Sequence, residues 1–74
     1  MGRLAGFKYR EVVSRLRRFG FVLDRQSAGS HELWRNDTTL RTCTVPRHAR
    51  DLSEGTVRSI LEQAGIAIDD FLSK

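Results

Sequence analysis

The sequence predicts an α+β fold in the order α-β-β-β-α. Three observations predict it: apolar stripes at helical spacing towards both ends, three short strand-like runs between them, and glycines or polar turn residues at the boundaries. Seventy-four residues make one small domain, 1–74, with a modest buried fraction and therefore short connections.

Residues 8–19 form the first helix, with Tyr9, Val12, Val13, Leu16 and Phe19 on one stripe. Gly20 is the usual stop, and Arg15, Arg17 and Arg18 fill a last turn where the helix dipole favours cations. Residues 21–26 are the first strand. Ser27-Ala28-Gly29 is the turn, with Gly29 as the turn-forming residue at positive φ. Residues 30–35 are the second strand and Asn36-Asp37-Thr38-Thr39 a second turn. Residues 40–45 are the third strand, with Arg41, Cys43 and Val45 pointing one way and Thr42 and Thr44 the other, until Pro46 ends it.

Arg47 to Leu52 is an aperiodic loop. Ser53 then caps a second helix whose stripe is Val57, Ile60, Leu61 and Ala64, closed by Gly65. Residues 66–72 make a final short helical turn that packs Ile68, Phe71 and Leu72 back onto the core. Three strands on tight turns form an antiparallel meander, and the two helices cover one of its faces. The layout is that of the double-stranded RNA-binding domain.

Charge is unevenly spread. Residues 1–50 carry eleven Lys/Arg against four Asp/Glu (+7), and residues 51–74 two against five (−3). Eleven of the thirteen basic residues are arginine, whose planar fork matches phosphate oxygens. A basic front two-thirds suits a polyanion, most simply nucleic acid, and Arg17, Arg18, Arg25, Arg35 and Arg47 are the candidate RNA-binding residues. For Arg17 and Arg18 the helix-end role is the competing explanation. One cysteine and two histidines are too few for a structural metal site, and no metal or cofactor is expected. The sequence shows no signal peptide and no membrane span, which predicts a cytoplasmic protein.

His31 follows a turn and opens a strand. Histidine's unperturbed pKa lies nearest physiological pH, so this position suits general acid/base work. Parity puts His31, Leu33 and Arg35 on one face of the strand and Ser30, Glu32 and Trp34 on the other. If Leu33 faces the helices, so does His31; if Trp34 is the core residue, His31 lies on the open face. The alternation fits both.

His48 follows the third strand and is topologically at the same end as His31, which makes it a possible auxiliary. Ser30 points away from His31 and reads as a turn or phosphate-binding hydroxyl rather than a nucleophile. Cys43 alternates with core positions and reads as buried and inert. Trp34 is either a core residue or a base-stacking one.

The ordered string Phe19-Gly20-Phe21, Gly29-Ser30-His31, Thr44-Val45-Pro46 with His48, Gly55-Thr56, Ile60-Leu61, Ala64-Gly65 and Phe71-Leu72 resembles the HicA toxins. These are small RNA-cleaving partners of HicB antitoxins in bacterial toxin–antitoxin pairs, and the likeness covers about residues 7 to 74. It implies a double-stranded-RNA-binding-like fold, metal-independent messenger RNA cleavage with His31 as the catalytic residue, and growth arrest by the free protein. It also implies silencing by a HicB-like antitoxin that covers the active surface. Glu32 stands where a second histidine or a neutral residue is common, Cys43 where valine is usual, and Ala67 where a Ser-like cap is usual. The competing expectation is a non-catalytic RNA-binding module in which the arginines do the work.

Overall fold

A computed structural model describes residues 2–27, 29–47 and 51–73. Helix α1 spans Tyr9–Arg18, one residue shorter at each end than the apolar stripe predicts, because Lys8 and Phe19 serve as its caps. Glu11 accepts the Lys8 amide at 2.8 Å, which satisfies a donor at the open end of the helix. Val12, Val13 and Leu16 are buried, while Tyr9 and Phe19 are partly buried against the core. Gly20, at φ 95, redirects the chain into the sheet.

Strands β1 (Phe21–Gln26), β2 (His31–Asn36) and β3 (Thr42–Pro46) form the expected antiparallel meander in the order β1-β2-β3. The second turn is longer than predicted. Leu40 and Arg41, expected to open the third strand, belong to it. Asn36 is the cause: its side-chain oxygen accepts the Thr38 and Thr39 amides, and its carbonyl accepts the Leu40 amide at 2.8 Å. Leu40 is thereby driven to φ 65 and left exposed. Between Leu23 and Arg25 the β1–β2 register shifts at a bulge, which bends the otherwise uncovered edge strand.

Helix α2 spans Glu54–Ala64 and packs Val57, Ile60, Leu61 and Ala64 inward. It lies along β3, where the Gln63 side chain accepts the Thr44 amide at 2.9 Å and so covers that sheet edge. Ser53 caps it by accepting the Thr56 amide at 3.1 Å, and Gly65 ends it at φ 73. Ser53→Ala is expected to cost about 1 kcal/mol of unfolding free energy, measured by urea titration. A short helix α3 (Ile68–Ser73) buries Phe71 edge-to-face on Phe7, with ring centroids 5.2 Å apart.

The core lies between the helices and one face of the sheet, the face that carries Phe21, Trp34, Cys43 and Val45. Leu4 and Leu52, from segments without periodicity, also join it. Among the described residues no helix is long and apolar enough to cross a membrane.

Candidate functional site

Trp34 is 1% exposed and Glu32 3%, so the second strand turns its even-numbered residues to the helices. His31 therefore stands exposed on the open face, at the end of β2, opposite Pro46 of β3. Leu33 and Arg35 share its face, and through the register so do Arg25 and Thr44 (opposite Leu33) and Val22 and Thr42 (opposite Arg35). The bulge matters here, because it allows Val22 and Arg25, three residues apart, to share a face. Gly29, at φ 72, shapes the turn that delivers His31. Ser30 lies in that turn, and its carbonyl accepts the Arg47 amide at 2.7 Å.

The helix-side face of the same strand end holds a polar cluster. Glu32 Oε1 accepts the Tyr9 hydroxyl at 2.5 Å and the Trp34 indole N–H at 3.2 Å, while Oε2 faces Arg47 Nε at 3.7 Å. Burial first, then the bond to Glu32 and its charge, push the Tyr9 phenol up to about 12, although Arg47 and Arg17 pull the other way. Burial pushes the Cys43 thiol up to about 11, which keeps it protonated and unreactive.

Both groups ionise by losing a proton, and both are raised above their ordinary values of 10.0 and 9.0. Stability from them is complete below about pH 9 and is lost as pH rises through 11 and then 12, since the unfolded chain ionises first. The urea midpoint is expected to fall between about pH 8 and pH 11, and Tyr9→Phe to lessen the upper part of the decline.

The structure divides the five candidate arginines. Arg25 and Arg35 share the open face with His31. Arg35 is held by Asp24 at 3.4 Å and Asp37 at 2.9 Å, and the Asp37 contact raises its already high pKa. Arg25 is exposed and has no ion-pair partner among the described residues. Arg17 lies over the Trp34 ring, 5.1 Å from its centroid, and shields the indole from the helix side. Arg18 lines an open cleft along the outer face of α1 with Arg10, Glu11, Ser14 and Arg15. Arg47 reaches the buried Glu32. His48 lies outside the described residues, although Arg47, its neighbour in sequence, is fastened beside the start of β2.

Tyr9 and Glu32 were not among the candidate residues. Tyr9 read as one more stripe residue, and Glu32 as a departure from a family pattern. The available signal was parity, since Glu32 alternates in step with Trp34 and had to be buried if the tryptophan was.

A family model described as the HicA toxin of bacterial toxin–antitoxin matches residues 9–66, from the first residue of α1 to just beyond Gly65. The matched segment contains Gly29, Ser30, His31 and all five arginines. No curated protein matches the chain.

Proposed function

The chain belongs to the HicA toxins of bacterial toxin–antitoxin pairs, and from that premise we propose that it is an endoribonuclease that cleaves messenger RNA through His31 without a metal ion. The observation that carries this reading is the exposure of His31 on a sheet face that no described helix covers and that also bears Arg25, exposed and without an ion-pair partner among the described residues. A general base there has access to a phosphodiester from solvent.

The reaction is internal transesterification. The His31 imidazole takes the proton of a ribose 2′-hydroxyl, the 2′-oxygen bonds to phosphorus, and the bond from phosphorus to the 5′-oxygen breaks. The imidazolium, or a water beside it, returns a proton to the departing 5′-oxygen. Charge on the phosphorane oxygens falls to Arg25 on the same face, while Arg47, at the same strand end but beside Glu32, holds a neighbouring phosphate. Ser30 supplies a turn hydroxyl rather than a nucleophile, and His48, next after Arg47 in the sequence, is the auxiliary candidate.

The domain, residues 1–74, works in the cytoplasm, where its messenger RNA substrate is. A HicB-like antitoxin silences it by covering the His31 face. The test is purified protein on a defined single-stranded RNA with a chelator present. Cleavage is expected, and so is growth arrest on induction of the free protein. RNA binding with a steep salt dependence but no cleavage would overturn this in favour of a non-catalytic RNA-binding module.

A further inference from the structure

Among the described residues Glu32 is the one buried charged side chain. A carboxylate taken out of water is costly unless its oxygens are paired. Here the two oxygens are used differently: Oε1 takes two neutral donors, from Tyr9 and Trp34, and Oε2 faces the guanidinium of Arg47. Arg47 is itself more than half exposed and approaches Glu32 through Nε at 3.7 Å, an ion-pair distance longer than a hydrogen bond, so most of its side chain stays open to a phosphate.

Arg47 is also tied down by its main chain, whose amide donates to the Ser30 carbonyl. Ser30 and Glu32 are the two sequence neighbours of His31, so the arginine is fastened on both sides of it. Further along the chain, Asp51 bridges to Lys8, and the Leu52 amide donates to the Phe7 carbonyl at 2.8 Å, just before Tyr9. Tyr9, Glu32 and Arg47 thus meet at the His31 end of the sheet.

We infer that Glu32 is a positioning residue: its carboxylate, oriented by Tyr9 and Trp34, holds Arg47 ready to receive an RNA phosphate at the strand end that His31 opens. The inference rests on the reading of this sheet end as the RNA site. A free arginine loses rotamer entropy when it grips a phosphate, whereas one already drawn towards a fixed carboxylate has lost part of it in advance. Neither the charge balance nor the strand pattern assigns Glu32 this role, since a buried acid in a basic chain reads at first as a fault in an RNA-binding surface.

The experiment is a double-mutant cycle between Glu32→Gln and Arg47→Ala. The readout is fluorescence anisotropy on a fully 2′-O-methylated RNA, which binds but lacks the attacking hydroxyl. Glutamine keeps an oxygen for Tyr9 and Trp34 and turns an uncharged NH2, a donor in place of a charged acceptor, towards Arg47. Arg47→Ala is expected to weaken affinity about tenfold and Glu32→Gln about fivefold, with the double variant no weaker than Arg47→Ala alone. On cleavable RNA the same variants raise KM by those factors and leave kcat within about twofold.

Tyr9→Phe, which alters the clamp without removing its charge, is expected to weaken affinity about twofold, an effect that vanishes in the Arg47→Ala background. It serves if Glu32→Gln fails to fold. Additive losses overturn the inference, as does a Glu32→Gln variant that binds RNA as well as wild type or more tightly. The last is the result expected of a carboxylate that merely repels phosphate. Because binding is read on uncleavable RNA, a wild type that binds but does not cleave sinks the nuclease reading while the cycle still decides this one. A wild type that does not bind overturns both.

Discussion

Replacing His31 by alanine is expected to lower RNA cleavage by about 10²–10⁴-fold, the usual contribution of a positioned general acid or base. Fold and RNA affinity should barely change. The side chain is exposed and lies on the face away from the core, so its loss opens no cavity, and unfolding free energy should stay within about 0.5 kcal/mol of wild type. The strand end does not depend on it either, since the Ser27 and Arg47 amides are bonded to main-chain oxygens of His31 and Ser30.

The assay compares wild type and variant on one defined RNA with a chelator present, with melting and anisotropy run beside it. Undiminished cleavage by His31→Ala would remove the histidine from the chemistry. A parallel loss of affinity and activity would make it a binding residue. A substrate carrying 2′-deoxyribose at the cleaved nucleotide should resist wild type, because the attacking oxygen is then missing.

The second large effect is on stability. Trp34→Ala is expected to cost about 3–5 kcal/mol, a large share of the roughly 5–15 kcal/mol that holds a typical domain folded. The indole is 1% exposed, sits opposite Leu23 and Cys43 on the neighbouring strands, and has Arg17 over its ring. Its N–H also supplies one of the two neutral bonds to Glu32, so truncation both opens a cavity and leaves a buried carboxylate short of a donor.

Trp34→Phe refills most of the volume without that donor and should cost about 1–3 kcal/mol. Urea titration followed by circular dichroism measures both. A loss below about 1 kcal/mol for Trp34→Ala would mean that the ring is not a core element. A base-stacking tryptophan behaves the other way, with RNA affinity falling and stability unmoved.

The sequence by itself determined the order of elements, because each boundary carries its own local chemistry. Gly20 and Gly65 end helices, Gly29 turns a hairpin, Ser53 caps, and the apolar stripes repeat at 3.6 between them. It also determined the family, since the string from Phe19 to Leu72 depends on order and spacing alone.

The tertiary structure decided the rest of the site. A strand has period two, so Leu33 and Trp34 offered β2 two opposite orientations, and only packing against α1 and α2 chose between them. That one choice exposed His31, buried Glu32 and gave Trp34 to the core. The bulge at Asp24 and the fate of each arginine followed from contacts between segments far apart in sequence: Arg17 over Trp34, Arg35 between Asp24 and Asp37, Arg47 on Glu32. Leu4 and Leu52 are core residues for the same reason, since burial by a distant neighbour leaves no local period to read. Local periodicity specifies which residues alternate; the face each set turns to is settled only when the sheet meets its helices.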